Sequence, residues 1–436
     1  MENFSWACID VHRRLNRDFK IARKLLIRRR LVLAAICILM AGSLAGPASA
    51  QYDPPREAPG GGMGAPLEDA RRITLGASVS HDSNFFRDPG LLRDPQSETI
   101  TTGYVGLRID KPYAQQRFLL DATATAYRYD KFSYLNFTGL DYQAAWDWRL
   151  TSRLSGTLSA ARSESPTQFQ DSFGRQSNVT ITENYVFNLD GWLFGGWYVR
   201  LGASQSNRTS EQSALSNQPD YRESSGEAGV RYLFQSGSEI AAVRRRMEGE
   251  QDSQLINNVI VVSSENYQED QSELRGTWIL SPQSVLTGRA TYLDRHYDQT
   301  PQNDFDGIAG DLSYRWLPTS KLNVRLSARR NIVPWQGSLS SNYRVSNTLS
   351  IAPTWQATAR TSMYMSLQRT YDDYPSTSTA IPDRKDTTDI ATLGVNWLAL
   401  RNLSIGANLL YEQRSSNNPF VEYDATVARL SASLMF

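Results

Sequence analysis

The sequence predicts an all-β fold: a transmembrane, antiparallel, up-and-down β-barrel of about eighteen strands. Three observations predict it. Apolar and polar residues alternate one for one over runs of about ten residues, the length of a tilted membrane-crossing strand. A turn motif returns every forty residues or so. Short connections alternate with long polar ones, as at the two ends of an outer-membrane barrel.

The chain has 436 residues and a formal charge of +1, which argues against a nucleic-acid partner or a polybasic membrane-surface role. The charge is unevenly spread. Residues 1–50 hold 9 of the 46 basic and 3 of the 45 acidic residues, so the remainder is net −5. This N-terminal stretch has the layout of a secretory signal with a long basic region: Arg28-Arg29-Arg30, the apolar run LVLAAICILMAGSLAG, then Ala48-Ser49-Ala50 as a small-x-small cleavage site. The apolar run is short for a permanent helical anchor of ~20 residues. Cys37 hints at a lipid attachment site, but Ile36 stands where a small residue is required. Both cysteines, Cys8 and Cys37, lie in this segment, so disulfides and thiol chemistry are not expected in the mature chain. Residues 51–71, beginning QYDPPREAPGGGMGAP, are rich in Pro and Gly and lack periodicity, as in a flexible periplasmic tether. Their glycines are not followed by the Lys-Ser/Thr of a phosphate loop.

Residues 72–436 carry the barrel pattern. The stretches WDWRLTSRLSGTLSA, WILSPQSVLTGRATY, YRWLPTSKLNVRLSA and NWLALRNLSIGANLLY each run aromatic–Leu, tight turn, new alternating strand. Such turns fall near Pro112, Ser152, Gly195, Ser236, Pro282, Pro318, Ala357 and Leu400. A β-propeller has a similar period, but its blade divides that length among four short strands, whereas each unit here offers two long ones. Leu403, Ile405, Ala407, Leu409 and Tyr411 illustrate the apolar face, with Ser404, Gly406, Asn408 and Glu412 between them. Ala and Leu in mid-strand with Trp and Tyr near the ends are the composition of a lipid-facing band with aromatic girdles. Trp148, Trp278, Trp316, Trp355 and Trp397 are expected at the periplasmic interface. The final strand ends on Phe436, a terminal aromatic of the kind that barrel-assembly machinery reads. The alternate connections, such as HDSNFFRDPGLLRDPQSET and DDYPSTSTAIPDRKDTTD, are long and polar and form the external loops.

Candidate chemistry is sparse. No catalytic, cofactor or metal site is expected. His81-Asp82-Ser83 has hydrolase residue types, but a triad is defined by geometry and not adjacency. No Cys/His spacing suits zinc, and the acidic loop clusters lack the Asp-x-Asp-x-Asp-Gly pattern of a calcium loop. The residues expected to line the lumen are Arg108, Arg149, Arg200, Arg231, Arg289, Arg315, Arg325, Arg429, Asp141, Asp147, Asn323 and Asn408, with Arg275, Arg329, Asp110, Asp121, Glu227, Glu273 and Asp311. They form either a ladder of ion pairs that rigidifies the wall or the lining of a hydrated conduit; eighteen strands enclose more than side chains alone fill. Strict alternation turns at least one of Arg244, Arg245 and Arg246 toward lipid, and placement at the external rim against lipopolysaccharide phosphates is the reading adopted.

The segment ASVSHDSNFFRDP resembles the opening strand of the β-barrel porin 2 family, including its EpsL-like outer-membrane proteins of exopolysaccharide loci. Asp82, Asn84, Phe85, Phe86, Arg87 and Pro89 carry the likeness, while Asp88 stands where an apolar residue is the rule. The resemblance implies an outer-membrane channel associated with surface-polysaccharide export. Its implied partners are outer-membrane lipid and lipopolysaccharide, the barrel assembly machinery, the polysaccharide and periplasmic export components. A small-solute porin, whose external loop should fold inward as a constriction, and a structural or adhesive barrel are the alternatives.

Overall fold

The computed structural model describes residues 70–91, 94–166, 169, 175–212, 220–251, 254–256, 259–262, 265–338, 341–376 and 382–436. The expected signal, residues 1–50, and nearly all of the expected tether, residues 51–71, lie outside these residues. The chain from Ala70 forms β1 (Ala70–Asp82), β2 (Glu98–Tyr113), β3 (Gln116–Tyr129), β4 (Phe137–Thr151), β5 (Leu154–Pro166), β6 (Val179–Phe194), β7 (Trp197–Ser210), β8 (Tyr221–Leu233) and β9 (Glu239–Gln251). A small separate hairpin, β10 (Gln254–Ile256) and β11 (Val259–Val262), follows. The second half comprises β12 (Glu265–Ser281), β13 (Ser284–Tyr297), β14 (Phe305–Thr319), β15 (Leu322–Ser338), β16 (Ser341–Gln356), β17 (Thr361–Tyr374), β18 (Arg384–Leu398), β19 (Leu403–Ser416) and β20 (Tyr423–Met435).

Eighteen of these strands make one antiparallel sheet. Each pairs with its neighbour in the chain, β9 pairs with β12, and β1 pairs with β20, which closes the ring. Closure is what permits a sheet in hydrocarbon, because a free edge would leave backbone N–H and C=O groups unpaired away from water. At the periplasmic end of the seam the backbones of Ile73 and Phe436 exchange hydrogen bonds of 3.1 and 2.9 Å.

The alternation sets which face is which. Leu75, Val105, Leu312, Leu326, Leu393 and Leu409 are exposed on the outer wall, where lipid replaces a protein core. Trp278, Trp316 and Trp397 are likewise exposed, at strand ends beside short turns. Trp148 differs. It is buried because it lies flat on Gly156 of the paired strand, at a point where any Cβ would collide with the ring. Trp146 and Trp197 join the exposed aromatics of this end. Turn positions shift by a residue or two from the sequence expectation. Pro318 belongs to the end of β14, within an irregularity between Trp316 and Thr319, and the turn itself is Ser320-Lys321. The strands also run on into segments with loop composition: β7 reaches Ser210 and β8 starts at Tyr221, so much of SNRTSEQSALSNQPDYRES is sheet. Paired backbone needs no apolar residues once the wall has left the membrane.

Two outcomes check this architecture. The barrel should migrate faster unheated than boiled on detergent gels, since its closed hydrogen-bonded ring resists unfolding. Leu326→Arg, on the outer wall, should cost about 2–4 kcal/mol in a membrane-folding titration. Ser327→Arg, one residue along and facing inward beside Ser350, should leave assembly near normal; equal losses would reverse the assignment of faces.

Candidate functional site: the inner wall and the latched mouth

Register extends the two faces round the ring, residue by residue. Arg108 faces Asp121 across β2–β3, Asp141 faces Thr123, and Asp147 faces Arg117. Arg200 faces Asp190 in the β6–β7 pair. Arg289 faces Arg275 and Asp311, Arg315 faces Arg325, and Asn408 faces Arg429. All these positions, with Arg149, Arg231 and Asn323, share the parity opposite to the exposed leucines, so they lie on the inward face.

Much of that inward charge is paired. Glu227 on β8 accepts from Arg245 on β9 at 2.5 Å and from Arg275 on β12 at 3.2 Å. Arg275 also pairs with Glu273, Glu273 with Arg289 at 3.9 Å, and Arg289 with Asp311 at 2.8 Å. A continuous ladder of alternating sign thus crosses five strands. A second chain joins Arg200 to Asp190 at 3.0 Å, Asp190 to Arg231, and Arg231 to Glu239 at 2.8 Å. Nearer the outside, Arg295 is 6% exposed between Glu269 at 2.6 Å and the rings of Tyr267 and Phe305. The low-dielectric wall makes each pair costly to break by removing one partner.

The expected lining omitted Asp190, Arg245, Glu269 and Arg295. Arg245 illustrates why. On β9 the inward face carries Ala241 and Val243, both buried, while Arg244 and Arg246 point outward. The usual polarity of the two faces is inverted, so alternation alone assigns Arg245 to the wrong side. β9 has no bulge: its register with β8 and β12 is unbroken through Arg244 and Arg246, so these two face outward and Arg245 faces inward.

The segment following β1 folds into a compact turn. Asp82 Oδ1 accepts from the backbone N–H of Asn84 at 2.9 Å, and Asn84 Oδ1 accepts from the N–H of Asp88 at 2.9 Å. Arg87 takes a left-handed backbone, φ 58°, and its guanidinium donates to both Asp82 oxygens, to the Asn84 carbonyl, and to Glu412 on β19 at 3.0 Å. Burial opposes the charge on Arg87, but the carboxylates of Asp82 and Glu412 outweigh it and raise the pKa above the ordinary arginine value, so the side chain stays cationic. Asn84 Nδ2 reaches the Asp424 carbonyl on β20 at 3.0 Å, and Ser83 exchanges two bonds with Thr426. The motif therefore ties the first strand to the last two at the outer end of the seam.

Phe85 and Phe86 pack on inward-facing Tyr129 and on Phe132, Leu135 and Phe169. Arg175, from the β5–β6 connection, stacks over Phe86 and pairs with Asp88 at 2.5 Å. Asp88 thus has an ionic partner, which accounts for a carboxylate where the resemblance calls for an apolar residue. The β1–β2 loop is folded over the inner face of the outer mouth. His81, Asp82 and Ser83 are engaged with Thr99, Arg87 and Thr426 respectively and form no triad.

A closed antiparallel wall, apolar outside and ion-paired within, defines a transmembrane β-barrel of the porin type. Residues 284–436 match the family model described as "Putative beta-barrel porin 2". No curated protein matches the chain. Among solved structures, OpdK of Pseudomonas aeruginosa aligns at 11% identity and TM-score 0.46, covering 84% of this chain and 99% of that one. OccAB3 of Acinetobacter baumannii gives the same figures, and OccK2 (OpdF) of P. aeruginosa in complex with glucuronate aligns at 12% identity and TM-score 0.47, covering 84% and 98%.

Arg87→Ala should lower stability of the outer end by about 1.5–3 kcal/mol, the range for hydrogen bonds to charged groups. Hydrogen exchange should rise at Asp424–Thr426 and in the β1–β2 loop while the periplasmic half stays protected; uniform exchange would contradict a local latch.

Proposed function

We propose that this protein is an outer-membrane channel for hydrophilic solutes, with an outer mouth narrowed by the latched β1–β2 loop. The observation that carries this reading is the inward fold of that loop, fixed by Arg87 on Asp82 and Glu412 and by Phe85 and Phe86 on Tyr129. A loop held in this way restricts the pore to small solutes. Paired charges on the inner wall present alternating sign, so a polar solute meets hydrogen-bonding groups without a deep electrostatic trap. The signal-like layout of the sequence over residues 1–50 and the exposed leucine belt support an outer-membrane location. Phe436, at the seam, serves in this reading as the assembly signal.

A second reading, passage of an exopolysaccharide, has one structural feature in its favour. Tyr104 and Tyr364 lie flat over Gly76 and Gly394 on the inward face of paired strands. Flat aromatic rings beside inward Asn and Ser groups suit sugar rings that must slide. The Asp82–Pro89 motif adds no support for polysaccharide, because its side chains are accounted for by closing the seam and folding the loop. Enzymatic activity is not part of either reading.

Planar-bilayer recordings separate the possibilities. Wild-type protein should conduct weakly, and the double variant Asn84→Ala, Arg87→Ala should conduct several-fold more. Equal conductance would remove the loop from the mouth, and no conductance in either would end the solute-channel reading. A deletion strain that loses surface exopolysaccharide while small-solute uptake is unchanged would establish the second reading instead.

A further inference from the structure

The outer wall of β8, β9 and β12 is not built for lipid. The aromatic row at its periplasmic end is clear: Trp197, Tyr232, Phe234 and Trp278 follow one another with ring centroids 4.9, 4.8 and 5.3 Å apart. Above it the apolar belt stops after Ala228, Ala242 and Leu274. The outward positions that follow are Gly226, Ser224 and Arg222 on β8, Arg244, Arg246, Glu248 and Glu250 on β9, and Ser272, Asp270, Gln268 and Asn266 on β12. Arg244 stands two outward rows above Tyr232, which pairs with Ile240. At about 5 Å of height per row for a tilted strand, that is about 10 Å into a belt ~25 Å tall. On β14, by contrast, the belt continues higher: Leu312 is followed by exposed Ile308, four rows above Trp316.

We propose that this sector is an interface with a second copy of the same chain, side by side in the membrane. Its charges choose the occupant. Arg222, Arg244 and Arg246 are balanced by Glu248, Glu250 and Asp270, so the patch is neutral and does not suit the phosphates of lipopolysaccharide. Mixed sign at one height suits self-association. Two copies inserted by one route share a direction across the membrane, so a two-fold axis between them must run along the membrane normal. Such an axis apposes residues of equal height, and here Arg246 and Asp270 are direct partners in register. Arg244 meets Asp270 at 3.2 Å and donates to Ser272 at 2.6 Å, yet the side chains of Arg244 and Asp270 are still 58% and 42% exposed, which leaves donor and acceptor positions within reach of the other copy. Enclosing these groups between two walls takes them out of hydrocarbon, and the inverted polarity of β9 becomes the ordinary composition of a wet protein–protein contact.

The barrel segment contains no cysteine, so a single reporter is clean. Ser272→Cys, made with Cys8→Ser and Cys37→Ser, should form a disulfide-linked species of twice the monomer mass in native outer membranes, whereas Leu409→Cys on the opposite wall should not. Arg244→Asp should reduce cross-linking of Ser272→Cys at least five-fold, and adding Asp270→Arg should restore it, scored only on heat-modifiable protein. A Ser272→Cys chain that stays monomeric overturns the proposal, as does one that links to a different protein. Failure of the charge swap to restore linkage also overturns it. The Ser272→Cys reading stands alone should the Arg244→Asp chain fail to fold. Channel conductance does not enter this test, so it stands apart from the proposed function.

Discussion

Everything in this molecule depends on the pairing of β1 with β20. A sheet of seventeen pairings with two free edges would hold rows of unpaired peptide groups in hydrocarbon, where no water compensates them. The eighteenth pairing removes both edges at once. It is fastened at each end: Ile73 with Phe436 near the periplasm, and the Asp82–Arg87 turn with Glu412, Asp424 and Thr426 outside. The short motif after the first strand is part of this fastening, and its phenylalanines pack on the inner face at the same end.

With the ring closed, the two-residue period of a strand does the rest. One parity meets lipid and the other meets the interior, so adjacent residues such as Leu326 and Ser327 live in different solvents. Much of the charge on the inner parity is neutralised across strands. Glu227, Arg245, Arg275, Glu273, Arg289 and Asp311 link five strands without a single uncompensated end. Stiffness of the wall and solvation of the interior are thus supplied by the same side chains.

Where outside is apolar and inside polar, sequence alone reveals the fold: β15 and β19 can be read letter by letter, and their turns fall within a residue or two of the expected places. Legibility fails where that contrast fails. On β9 the inner face carries Ala241, Val243 and Met247 beside Arg245, and the outer face turns from Ile240 and Ala242 to Arg244, Arg246, Glu248 and Glu250, so the pattern points the wrong way round. Strand ends beyond the membrane are hidden for a related reason, since Asn207–Ser210 and Tyr221–Glu223 are sheet with the composition of loops. The mouth was beyond reach for another. Arg87 and Glu412 are 325 residues apart in the chain, and only the closed ring makes them neighbours.

That separation has a consequence for biogenesis. Nearly every pairing in the wall joins strands close in sequence, and each can form as soon as its hairpin exists. The seam alone must wait for every other strand, because its two halves are the first and the last strands of the wall. Loop-closure entropy opposes that encounter more than any other in the molecule, and a polypeptide released early would carry an unsatisfied edge with no means of repair. One edge of the first strand therefore waits longest for its partner, and the contacts of Asn84 and Arg87 with β20 and β19 can form only once that partner is in place.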